Sequence, residues 1–86
     1  MLFMIDAHFK KIGLEYAKMD PEAKIVLIQD GVYTLPDELP DGAEIYAVKE
    51  DVERRAISKR IGDDVRLIDY NELVDLLMDN KVINFA

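Results

Sequence analysis

Carboxylates stand close behind every apolar run in the first four-fifths of this sequence. Asp6 follows Met1-Leu2-Phe3-Met4-Ile5, and Gln29 with Asp30 follows Ile25-Val26-Leu27-Ile28. Glu50 and Asp51 follow Ile45-Tyr46-Ala47-Val48, and Asp69 follows Val65-Arg66-Leu67-Ile68. Hard cations take carboxylate oxygens, and a phosphate can complete their shell. One reading is therefore a magnesium-dependent phosphotransfer or receiver-like domain using Asp6, Asp30 and Asp51. Helix capping is the competing account. Asp6 and Asp69 stand where an N-cap belongs, and Glu50 or Asp51 can serve a helix that starts there. No lysine or hydroxyl residue accompanies these carboxylates in the way that phosphoryl-transfer sites use one.

Other reactive side chains are few. His8 is the only histidine, and it falls in the first turn of an expected helix. Thr34 and Ser58 are the only aliphatic hydroxyls, and no strand-to-helix elbow places either as a nucleophile. Gly31 alone makes no phosphate loop, since the dinucleotide pattern needs three glycines at fixed spacing. With no cysteine, a disulfide, a thiolate metal site and a persulfide carrier are all excluded. These features favour a binding or assembly module over an enzyme, with no cofactor expected.

The elements that must position these residues alternate. Four runs apolar at every or nearly every position read as strands, most of them buried on both faces. Between the first two, Phe9, Ile12, Tyr16 and Ala17 recur at helical spacing and predict a helix core face. Asp20-Pro21 ends that helix. A short segment, Val32 to Leu35, precedes an acidic, proline-rich loop from Pro36 to Gly42. Glu50 to Ile61 is helix-like, with Gly62-Asp63-Asp64 as its stop. Asp69 and Glu72 have capping-box spacing before a helix whose core face is Leu73, Val74, Leu76 and Leu77. Lys81 to Phe85 is a short closing strand or a tail. The pattern predicts a single α/β domain over residues 1–86. Its fold is a three-layer α/β/α sandwich around a four- to five-stranded, mainly parallel sheet.

The 86 residues carry a formal net charge of −7, which disfavours direct nucleic-acid binding. A chain of this mass buries roughly 64% of its unfolded surface, a small core that a partner would help. No apolar run approaches a membrane span, and Met1 to Ile5 is too short for a signal peptide. A cytoplasmic location is expected.

Gln29-Asp30-Gly31-Val32-Tyr33, placed directly after an apolar strand, resembles the hallmark of the TusB/DsrH family of sulfur-relay subunits. Ile45 to Val52, with Glu50 and Asp51, is similar to that family's strand and Glu-Asp-Leu stretch. Arg55 falls at the arginine of its Ala-Arg-Gly triplet, and Leu67-Ile68-Asp69-Tyr70 matches its Leu-Ile-Asp-Tyr. The resemblance implies a non-catalytic subunit that assembles with TusC/DsrF-like and TusD/DsrE-like proteins as two trimers. Such complexes serve tRNA wobble 2-thiouridine synthesis or sulfur oxidation, with the main sulfur-carrying cysteine on the TusD/DsrE subunit. Three departures stand out. Residues 18–23 lack the cysteine common in the DsrH branch, Ala56 replaces a glycine, and Phe85 replaces a usual tryptophan.

An interface is also readable without the resemblance. Tyr33 is a large amphipathic ring of the kind that anchors contacts. The expected contact is Val32, Tyr33 and Leu35, with Arg55 pairing to a carboxylate at the rim. The alternative is that Tyr33 covers its own sheet edge. The chain is expected to be a homodimer when alone and a mixed oligomer with relatives. A stand-alone homodimer outside any relay is a third reading.

Overall fold

The computed structural model describes residues 1–86. Its five strands are β1 (Leu2–Ile5), β2 (Lys24–Leu27), β3 (Glu44–Val48), β4 (Val65–Ile68) and β5 (Val82–Phe85). They form one sheet in the order β4-β3-β2-β1-β5, with every pairing parallel. The helices are α1 (Lys10–Lys18), α2 (Lys49–Arg54) and α3 (Tyr70–Asp79). This is the expected α/β sandwich.

The chain steps from β1 to β4 in one direction and then returns to β5 on the far side of β1. Right-handed crossovers therefore put α1 and α2 on one face and α3 on the other. The two apolar clusters agree with that division. Phe3, Ile5, Ile25, Leu27, Ile45 and Ala47 face Leu14 and Ala17 of α1, Val52 of α2, and Ile57. Leu2, Val26, Val48 and Ile68 face Leu73, with Leu76 and Leu77 at its border. Alternate strand residues supply the two layers, as the period-two geometry of a strand requires.

All three helices differ from the sequence reading. The buried side of α1 is Gly13, Leu14 and Ala17, while Phe9, Ile12 and Tyr16 are about half exposed. Gly13 explains the rotation. Its missing side chain lets α1 settle on Phe85 of β5, whose ring carbons lie 3.1 Å from where a Cβ would stand. Tyr16 then stacks on the outer side of Phe85, with centroids 5.8 Å apart, and Phe3 stacks on Phe85 at 6.3 Å. In α3, Val74 is half exposed rather than core.

The α2 helix is also shorter than the expected 50–61. It stops at Arg54 because Ala56 takes a left-handed backbone conformation, φ 53°. The N–H of Ala56 donates to the Glu53 carbonyl and that of Ile57 to the Val52 carbonyl. Those two bonds are the pair that closes a helix in a Schellman turn, and Ile57 joins Val52 in the core as the turn's usual apolar contact. A 3-10 turn at Ser58–Arg60 follows. Strand β4 is an edge, so only Ile68 in it is fully buried.

Candidate functional site

At the carboxyl ends of β1, β2 and β3, the Gln29–Tyr33 segment folds as a 3-10 turn. It lies between the Ala7–Phe9 turn and α2. Gly31 is required by that placement. A Cβ on it would collide with the carbonyl oxygen of Ile5, where β1 ends. Val32 is 1% exposed and belongs to the core. This corrects its expected place in a contact surface. Tyr33 and Leu35 do face outward, at 42% and 48% exposure. The Thr34 hydroxyl donates to the Gly31 carbonyl at 2.7 Å and closes the turn.

Gln29 opens the turn with a left-handed backbone, φ 48°. A residue other than glycine resists that conformation by roughly 1–2 kcal/mol. What holds it comes from another element. The Gln29 N–H donates to Oδ2 of Asp51 at 2.8 Å, and Asp51 is only 4% exposed. Asp51 therefore does not cap α2, as the sequence suggested. It reaches across 22 positions to cap the motif turn.

Arg55 completes the arrangement. Its Nε donates to Asp30 Oδ1 at 2.9 Å, and its Nη1 donates to the Asp51 carbonyl at 3.1 Å. Nη1 also lies 3.7 Å from Asp51 Oδ1, as does Nη1 of Arg54. The hydrogen bond to Asp30 holds the Arg55 guanidinium protonated above even the usual arginine range, with the charges of Asp30 and Asp51 adding to it. The carboxylates that Arg55 pairs with are Asp30 and Asp51 of its own chain. Gln29, Asp30, Asp51 and Arg55 thus form one network at the start of the motif turn, and sequence spacing gave no sign of it.

The remaining candidates lie elsewhere or do otherwise. Asp6 Oδ1 accepts the Ala7 N–H at 2.6 Å, as a cap. Asp69 accepts the Glu72 N–H at 2.8 Å and caps α3, with Tyr70 half exposed on the opposite face from α2. Glu50, in the first turn of α2, has one carboxylate oxygen buried and unpartnered. His8 is exposed and meets Phe9 edge-on, centroids 4.9 Å apart. Asp6, Asp30 and Asp51 each have their own partner, and no group of three acids or histidines is close enough to hold a metal ion. The three aspartates that the phosphotransfer reading places around one cation are therefore not brought together.

An open parallel sheet with a motif-bearing turn at its strand ends defines a class, and comparison with known proteins names it. The family described as "DsrH like protein" matches residues 10–83. A Photorhabdus laumondii protein named Protein TusB is 39% identical over 59 residues, covering 60% of this chain and 62% of that protein. Protein TusB of Pectobacterium parmentieri is 32% identical over 69 residues, 72% of this chain and 73% of its own length. The chain thus spans about three-fifths of the first relative and nearly three-quarters of the second. It belongs to the DsrH family. No helix is long and apolar enough to cross a membrane.

Proposed function

We propose that this chain is a non-catalytic subunit of a sulfur-relay complex of the TusBCD or DsrEFH kind. In it, the chain supports transfer of persulfide sulfur toward tRNA wobble 2-thiouridine or within sulfur oxidation. The observation that carries this reading is a DsrH-family chain whose 86 residues contain no cysteine. A persulfide needs a thiol. The carrier must then be another subunit, a TusD/DsrE-like protein, with a TusC/DsrF-like protein completing the set. The chain acts as scaffold or docking surface, makes no direct contact with nucleic acid, and works in the cytoplasm as one domain.

The docking surface is the motif turn. Tyr33 and Leu35 project from a segment that Gly31, Asp51 and Arg55 hold in one conformation, so little ordering entropy remains to be lost on binding. Alone, the chain forms a symmetric homodimer with this patch on both subunits. With its relatives present it joins a mixed oligomer.

Tyr33→Ala tests the surface. It should cost about 2 kcal/mol of association, some thirtyfold in affinity, by sedimentation at tens of micromolar. Its melting temperature should stay close to wild type. A lowered melting temperature with unchanged association would instead make Tyr33 a cover for its own sheet edge. Co-expression with cysteine-bearing TusD-like and TusC-like proteins tests the complex directly, and failure to co-purify would defeat the relay reading.

A further inference from the structure

Two helices on opposite sheet faces carry apolar surface that nothing in the chain covers. On α1, Ile12 is 50% exposed, and Met19 at its C-terminal cap is 71% exposed. On α3, Val74 and Met78 are 51% and 80% exposed. Their charged neighbours are opposite in sign. Lys11 precedes Ile12 and Lys18 precedes Met19, and both lysines are exposed with no ion pair in the chain, Glu15 being the one acid between them. Asp75 follows Val74 and Asp79 follows Met78, again exposed and unpaired, and α3 contains no basic residue. Asp75 and Asp79 also border a cleft of about 190 Å³ between α3 and strands β3 and β4. Arg66 beside it is engaged with Glu72 at 3.3 Å.

We propose that these two faces are complementary halves of one contact, α1 of one copy of this chain seated on α3 of the next. Helix geometry supports the match. One residue is about 100° of rotation, so on each helix the charged flank lies about a quarter-turn from the apolar stripe. The charge comes before the apolar residue on α1 and after it on α3. Such senses coincide when the two helices run parallel: apolar meets apolar and lysine meets aspartate. In an all-parallel sheet every crossover helix runs against the strands. A copy displaced along the sheet normal therefore presents its α3 parallel to its neighbour's α1, in the orientation the match requires. The contact is heterologous, so it closes into a ring or continues as a stack. It is separate from the symmetric Tyr33 patch, and it joins dimers into larger assemblies as concentration rises.

The test is a mixing experiment in the Tyr33→Ala background. One protein carries Ile12→Ser and Met19→Ser, which removes the α1 half. The other carries Val74→Ser and Met78→Ser, which removes the α3 half. All four positions are exposed, and circular dichroism checks that both proteins fold. At several hundred micromolar, each variant alone should self-associate more weakly than the Tyr33→Ala parent by more than about tenfold. Mixed, they should form a species of two chains, one of each kind, because each supplies the half the other lacks. One molar salt should weaken that species by screening the Lys–Asp pairs. A mixture that sediments as the plain sum of its parts overturns the proposal, as does a parent with no association at that concentration. Should Tyr33→Ala fail to dissolve the symmetric contact, the readout remains the excess association on mixing, so the two readings fail separately.

Discussion

Gln29 and Ala56 place the same left-handed kink at two turns of the molecule, and they hold it by different means. At Ala56 the restraint is local. Two backbone hydrogen bonds within the six residues Val52 to Ile57 close α2, and Ile57 follows into the core. At Gln29 the restraint is a buried carboxylate from another helix, itself in contact with Arg55. A local turn can be changed without informing the rest of the fold. The Gln29 turn cannot, because its anchor ties the end of β2 to the start of α2. The turn that carries the exposed Tyr33 is the one built with long-range support.

Substitutions can break or sharpen that contrast. Gly31→Ala should do the most harm, destabilising by about 3 kcal/mol or more. The new Cβ meets backbone of β1, which cannot move aside as a side chain would. Thermal or urea unfolding reads this directly. Asp51→Ala comes next. It leaves the Gln29 N–H without its acceptor and should cost about 1–3 kcal/mol. It should also weaken association, since the Tyr33 turn loses its anchor. Loss of stability with association unchanged would mean that Tyr33 is positioned without Asp51.

Ala56→Gly should act in the other direction. Glycine takes φ 53° without the Cβ penalty, so the variant should gain up to about 1 kcal/mol with no change in association. A loss of stability there would refute the local account of that turn. The smallest effect concerns Glu38. Its carboxylate accepts the Leu35 N–H at 2.7 Å and pairs with Lys10 at 3.0 Å, which lowers its pKa below the ordinary 4.5. A carboxyl group with a depressed pKa stabilises the fold above its unfolded pKa, and that contribution is lost as pH falls through the folded value. Glu38→Gln should therefore lower the melting temperature slightly at pH 7 and make no difference near pH 2.

The sheet was readable from the sequence because a strand buried on both faces leaves an unbroken apolar run, and a capping Asp marks where a helix begins. The rotation of α1 was not readable. Phe9, Ile12, Tyr16 and Ala17 have a helical period, but Leu14, Ala17 and the gap at Gly13 decide which side meets the sheet. The early end of α2 was hidden because alanine, unlike glycine, gives no local sign of a left-handed residue. The network of Gln29, Asp30, Asp51 and Arg55 joins residues up to 25 positions apart, beyond any periodicity. The motif turn itself was legible as a short segment after β2, and Tyr33 is half exposed on it. Val32 turned inward because a 3-10 turn places neighbouring residues on different sides.

The pairing of β1 with β5 sets an order of events for folding. Strands β1 to β4 are joined by neighbouring crossovers, whereas Leu2 meets Val82 across almost the full sequence. Closing that long loop costs chain entropy before any contact repays it. The first four strands and the Tyr33 turn can therefore assemble while one side of β1 is still unpaired. Until β5 arrives, β1 presents a row of open hydrogen-bonding groups to any extended chain nearby, a hazard for aggregation during synthesis.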